Sequence, residues 1–226
     1  MTSPQLTSMD RYYKGSTDKG YDYYFIDHAY FLGGHDRNPA WYRATKNGHV
    51  AHNLKDRSND RYEKYFKQDI KPYRTGSKII VCPPTGAIEW MFDTQDWLNT
   101  TVDALKQHTD REIVVRDKPM NPQVKKENGV TTIDGFIKTQ DDKPLQEDLD
   151  DAHCVVTFNS GVGVKALCEG IPVICGIECA AYPIANKIED VENLQQHERQ
   201  PWLNHLAHSQ FTLAEMSSGY ALEQCS

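Results

Sequence analysis

Several features are missing from this chain of 226 residues, and each absence excludes something. No apolar run reaches the roughly 18 to 20 residues that span a bilayer as a helix. The opening MTSPQLTSMDRYYKGS has neither the basic nor the apolar stretch of a secretory leader, so the chain reads as cytoplasmic. Positive charge is in deficit: 25 Lys and Arg face 32 Asp and Glu, a formal net charge of -7. No global positive field therefore exists to hold a phosphate backbone by counterion release. CxxC and HExxH spacings are absent too. The six cysteines (Cys82, Cys154, Cys168, Cys175, Cys179 and Cys225) and the nine histidines show no ligand spacing, which predicts buried free thiols and no metal. There is no internal repeat and no low-complexity segment.

What is present is ordinary globular material, 38% hydrophobic with 10% aromatic residues, enough for a packed core in one large α/β domain or two small ones. Residues 1–20 are polar and interrupted by Gly15 and Gly20, and read as a loose arm. The aromatic run at 23–26 predicts a buried strand that ends in Asp27-His28 before a Gly33-Gly34 turn. Asn47-Gly48 suggests a hairpin turn, and the charged stretch 55–67 reads as exposed chain.

A cleaner rhythm follows. SKIIVC predicts a strand over 78–82, stopped by Pro83-Pro84. Asp93 stands as the N-cap of a helix carrying Trp97, Val102 and Leu105 at helical spacing. REIVVRDKP, 111–119, predicts the next strand, and the three make a βαβ unit. After an irregular polar connection with a short helix at 145–149 comes a second such unit: a strand over 154–158, a helix over 161–168 and a strand over 171–175. In the tail, Trp202, Leu203 and Leu206 form one helical stripe, and Thr212 with Glu215 has capping-box spacing.

In a right-handed βαβ unit the turn after a strand lies at the carboxyl edge of the sheet, where open α/β folds bind ligands. Asn159, Ser160 and Gly161 occupy such a turn. Glycines at 161 and 163 let a ligand approach the backbone, and the first N–H groups of the following helix favour an anion such as a diphosphate. Ser160 either caps that helix or donates to the phosphate. Glu169 can accept hydrogen bonds from the two hydroxyls of a ribose. The competing reading is that Ser160 only caps, the glycines only pack and Glu169 is a solvated helix-end residue.

The stretch TFNSGVGVKALCEGIPVICG resembles the nucleotide-binding motif in the C-terminal half of GT-B glycosyltransferases, especially capsule-polysaccharide and lipid-sugar transferases. IIVCPPTG, EIVVRDKP, the tail WLNHLAHSQFTLAEMSSGYA, and FIDHAYFLGG with WYRATKNG also resemble small glycosyltransferase-like proteins of phage and bacterial surface-carbohydrate gene sets. The resemblance covers roughly residues 23–222 and implies an α/β fold: a Rossmann-like parallel sheet flanked by helices as the nucleotide-sugar-binding lobe (76–226), after the flexible arm (1–20) and a reduced N-terminal lobe on the acceptor side (21–75). A full GT-B enzyme has two Rossmann-like halves, for which this chain has no room. A homo-oligomer or partner would complete the acceptor side.

The same resemblance implies residue roles. The Ser160, Gly161 and Val162 backbone would hold the donor phosphates, with Asn159 at the turn and Glu169 on the ribose. Arg116 and Lys118 would offset the departing diphosphate in place of a metal, or are simply solvated charges at a strand end. Thr85 and Gly86 occupy the corresponding edge of the earlier unit. His28, oriented by Asp27, or Asp27 acting directly, would be the base that deprotonates the acceptor hydroxyl; alternatively both are structural. Arg43 would bind acceptor or phosphate, or form a cation–π cluster with Trp41 and Tyr42.

The function so implied is metal-independent transfer of a sugar from a nucleoside-diphosphate sugar, with no other cofactor, to a hydroxyl of a surface glycan or, in a phage, a modified DNA base. The acidic charge disfavours DNA. A nucleotide-sugar epimerase or polyol-phosphate transferase shares the diphosphate turn, and a nucleotide- or glycan-binding module without a base is the non-enzymatic alternative.

Overall fold

The computed structural model describes residues 4–33, 37–117, 132–133, 136–138 and 144–225. In chain order the elements begin with α1 (Pro4–Lys19), β1 (Tyr24–His28), β2 (Trp41–Lys46), a π-helical turn (Tyr62–Phe66), β3 (Lys78–Cys82), α2 (Gly86–Phe92), α3 (Trp97–Lys106) and β4 (Ile113–Val115). The middle supplies β5 (Thr132–Ile133), β6 (Phe136–Lys138), α4 (Leu145–Leu149), β7 (Ala152–Thr157), α5 (Val162–Cys168) and β8 (Val173–Cys175). Two 3-10 turns (Tyr182–Ile184 and Ile188–Asp190) lead to α6 (Gln200–Ala207), β9 (Gln210–Thr212), α7 (Leu213–Ser217) and α8 (Tyr220–Cys225).

The chain folds as two compact units. One comprises Met1–Asp69, Tyr182–Ile184 and His197–Ser226, the other Ile70–Ala181 and Ala185–Gln196. The tail from 197 onward, expected within the Rossmann-like lobe, therefore belongs to the first unit, because β9 pairs with β2.

The second unit is an α/β layer structure around a sheet of order β5-β6-β4-β3-β7-β8. From β6 to β8 every pairing is parallel, and β5 adds an antiparallel edge. The central strands are short apolar runs because both faces are covered. Ile79, Val81, Ile113, Val115, Cys154 and Val156 pack against Val102 and Leu105 of α3. The opposite face, which includes Thr157, lies under α5: a Cβ placed at Gly163 would sit 3.5 Å from Thr157 Cγ2. The predicted strand and helix positions hold here, and α4 has the predicted bounds. Several boundaries shift by one to four residues, and α2 stands where only a turn was expected. Asp93 ends α2 in the left-handed region with φ 53°, and Asp96 precedes α3.

The first unit is built on a three-stranded antiparallel sheet, β1-β2-β9. The strand at 23–26, expected to be buried, is instead the sheet's outer strand, with alternate residues exposed. Asn47 does turn through a positive φ of 55°, but it follows β2 rather than joining a hairpin; β1 and β2 are linked by the longer segment 29–40. Residues 4–19, expected to be a loose arm, are helical, and Tyr13 packs edge-on against Tyr23 and Phe25.

The largest departure lies in the charged stretch at 55–67. Arg61, Tyr62 and Phe66 are buried, and Arg61 is the hub of the unit. Its Nε donates to the Ala207 carbonyl at 2.9 Å, Nη2 donates to the Gln210 carbonyl at 2.7 Å, and the guanidinium grips the Glu215 carboxylate at 2.7 and 2.9 Å. Rings of Trp41, Tyr65, Phe211 and Tyr220 surround it with centroids at 5.3 to 5.8 Å. Glu215 also closes the predicted capping box with Thr212. All six cysteines are free thiols, four of them buried.

Candidate functional site

In the second unit the chain runs from β3 across α2 and α3 to β4 on one side, then returns to place β7 on the other side of β3. Successive connections thus leave β3 in opposite directions. The loops after β3 and β7 diverge at their carboxyl ends, the usual ligand position of an open α/β sheet. The turns at Thr85-Gly86 and at Asn159-Ser160-Gly161-Val162 follow these two neighbouring strands, so the fold brings both predicted clusters to one edge. Thr157 Oγ1 fastens the strand ends by donating to the Cys82 carbonyl at 2.9 Å, and it accepts the Ser160 N–H at 3.2 Å.

Ser160 Oγ accepts the Val162 N–H at 3.2 Å, so the Ser160 hydroxyl serves the turn and the Val162 amide is already engaged. By contrast, the side chains of Thr85 and Asn159 make no hydrogen bond among the described residues. The three glycines divide by role. A Cβ on Gly161 would meet nothing within 4 Å, and one on Gly86 only Glu89 Oε2 at 4.0 Å, so both leave open space at this edge. Gly163, expected to admit a ligand, is instead a packing glycine: its Cβ would press on Cys179 Sγ at 3.1 Å and Ala181 Cβ at 3.4 Å.

Glu169 is not brought to this edge. It follows α5, whose seven residues span about 10 Å and carry the chain back to the amino edge of the sheet. There its carboxylate pairs with Lys71 Nζ at 2.5 Å, beside Arg74, which donates to the carbonyls that precede β7. Arg116 does stand at the carboxyl end of β4, but Nη1 donates to Asp148 Oδ2 at 2.6 Å in a pair that is buried on both sides. Its charge is thus answered within the protein. Lys118 lies outside the described residues.

One residue of this edge escaped the sequence reading. Glu178, in the turn after β8, is half-buried, with no hydrogen-bond or ion-pair partner among the described residues; burial pushes its pKa up from the ordinary carboxylate value. Its neighbour Cys179 contacts the turn at 159–162, Sγ to the Ser160 carbonyl at 3.8 Å. Counting three residues past the end of β3, β7 and β8 would have found it, since Thr85, Ser160 and Glu178 hold equivalent positions.

The first unit holds the remaining candidates. Asp27 Oδ2 accepts from Arg43 Nη2 at 2.8 Å, and Asp27 Oδ1 accepts the backbone N–H of His28 at 2.7 Å. Neighbours on a strand point to opposite faces, so the carboxylate expected to orient the His28 imidazole faces away from it. Asp27 is turned toward the sheet's covered side and His28 is exposed. Arg43 lies 3.3 Å from His49 Nε2, and its cation–π partners are Phe25 and Tyr30, not the expected Trp41 and Tyr42. Among the described residues no group of three or more His, Cys, Asp or Glu could hold a metal ion, and no helix is long and apolar enough to cross a membrane.

No protein-family profile matches the chain, and no curated protein matches its sequence. Solved structures do. The chain is similar in fold to the beta Kdo 2,4 transferase of Thermosulfurimonas dismutans KpsC, with a TM-score of 0.50 and 11% identity over 94% of this chain and 82% of that one. The beta Kdo 2,7 transferase of the same protein gives a TM-score of 0.46 and 15% identity over 100% and 90% of the two chains. The first of these likenesses shows that the chain shares its α/β fold with that transferase.

Proposed function

We propose that the chain transfers a sugar from a nucleoside-diphosphate sugar to a hydroxyl acceptor, with the second unit holding the donor. The observation that supports this most is the pair of open glycines, Gly86 and Gly161, on the two loops that diverge at the β3/β7 switch point. There a diphosphate can approach the backbone, with the Thr85 hydroxyl and the Asn159 amide as donors. In the reaction the acceptor oxygen bonds to the anomeric carbon, the bond from that carbon to the phosphate oxygen breaks, and a base takes the acceptor proton. Asp27 with His28 on the first unit and Glu178 on the second are the candidates for that base. Arg43 is the candidate for an anionic group of the acceptor. Glu169 is not assigned to the ribose, since Lys71 holds it at the amino edge.

A thermal-shift screen against UDP, GDP, CDP and ADP, their sugar conjugates and a Kdo donor tests the reading. A selective ligand at about 100 times its Kd adds about 2.7 kcal/mol, or roughly 5–10 °C for a protein of this size. Absence of any shift at millimolar nucleotide would count against a transferase. With a donor in hand, Asp27→Asn, His28→Asn and Glu178→Gln identify the base: the responsible substitution lowers turnover by about 100-fold or more with donor affinity retained. Turnover is expected to survive a chelator, since the leaving diphosphate is assigned to hydrogen-bond donors of the two turns, the Thr85 hydroxyl and the Asn159 amide, and to no metal ion.

A further inference from the structure

The first unit contains a cavity of about 130 Å³, lined by β2, residues 50–57, the end of α6 and α8. One water occupies about 10–15 Å³ by this measure, so the space suits a group larger than a single solvent molecule. Its lining is one-sided in charge. Lys46, His52, Lys55, Arg57, His205 and His208 border it, and no Asp or Glu does, although the chain as a whole is acidic.

Local partners answer only part of this. Lys46 pairs outward with the exposed Asp22 at 2.8 Å. His205 is satisfied as a neutral ring: Nδ1 accepts the Lys55 N–H at 3.2 Å and Nε2 donates to the Ala51 carbonyl at 3.1 Å. His208 Nε2 reaches the Ser58 carbonyl at 3.2 Å and Asp60 at 3.5 Å, while its buried Nδ1 has no partner. Arg57 donates only to neutral acceptors of Gln224, Nη1 to Oε1 at 3.3 Å and Nη2 to the backbone carbonyl at 3.2 Å. It forms no ion pair among the described residues. A partly buried guanidinium with five N–H donors and no counter-charge is unfavourable unless an anion completes it.

We propose that this cavity is a binding site for a small oxyanion, a phosphate or carboxylate group, which the Arg57 guanidinium grips with Lys55 beside it. Guanidinium geometry matches two oxygens of either group. The site lies wholly within the first unit and does not depend on the donor site proposed above.

Calorimetric titration of the full chain at low ionic strength, with inorganic phosphate, glucuronate and glucose in separate experiments, tests it. Saturable binding of an anion but not of glucose is expected. Arg57→Gln weakens that binding about tenfold or more, the loss of a charged hydrogen-bonding partner, and Lys55→Met weakens it less. Gly161→Leu leaves it unchanged, which separates this site from phosphate held at the second unit's turn. Binding of phosphate alone assigns a phosphate ligand, and binding of glucuronate alone assigns a sugar carboxylate. Circular dichroism checks that each variant is folded, and Lys55→Met decides the matter if Arg57→Gln is not. No saturable binding by the native chain, or binding unchanged in the folded variants, overturns the proposal.

Discussion

Arg61→Ala is expected to lower the free energy of unfolding by about 3–5 kcal/mol, the usual cost of removing one partner from a buried ion pair. The guanidinium joins the end of α6, β9 and α7 in one network, and removing it leaves two carbonyls without this donor and the Glu215 carboxylate with only its bonds from Thr212. It also empties the space between four aromatic rings. Arg61→Lys recovers only part of the loss, because an ammonium cannot form the two parallel bonds to Glu215. Urea denaturation of the three proteins measures this, and a change under about 1 kcal/mol for Arg61→Ala would show that the network is not structural.

The same pair fixes a pH dependence. Burial opposes ionisation of Glu215, yet hydrogen bonds from Arg61 and Thr212 outweigh it and hold its pKa below the ordinary value of 4.5. A carboxyl group whose folded pKa is depressed stabilises the fold above its unfolded pKa, and loses that contribution as pH falls through the folded value. The stability gap between native protein and Arg61→Ala should therefore be full at neutral pH and shrink below about pH 4.5. A gap that stayed constant into acid would assign the effect to packing alone.

Gly161→Leu carries the second large effect, on binding rather than stability. Gly161 has an ordinary φ of -59°, and its Cβ would meet nothing within 4 Å, so unfolding stability should stay within about 0.5 kcal/mol. The leucine occupies the open space where the diphosphate is proposed to approach, and donor affinity should fall by about 10- to 100-fold. Gly163→Ala, two residues on, should do the reverse: its Cβ crowds Cys179 and Ala181 and costs about 1–3 kcal/mol of stability with donor affinity retained. Native-like nucleotide binding by Gly161→Leu would remove the donor site from this edge.

The donor-side half of the candidate site was legible because its signals are local. β3 and β7 are short apolar runs buried on both faces and punctuated by Pro-Pro and Asn-Ser-Gly, and Thr212 with Glu215 carries its cap within four residues. Those features determined by themselves the βαβ rhythm, the α4 helix and the two turns at the carboxyl edge. Pairings between distant segments decided the rest. β9 joins β2 across most of the chain length and takes the tail into the first unit. Arg61 reads as a solvated charge until its rings and carbonyls arrive from residues far along the chain. The alternation of β1 separates Asp27 from His28, and the length of α5 sends Glu169 to the edge opposite the turn at 159–162. A side chain's neighbours across a sheet are set by register and helix length, which no local stretch of sequence contains, and so the tertiary structure alone decided which charges are partnered and which are left for a ligand.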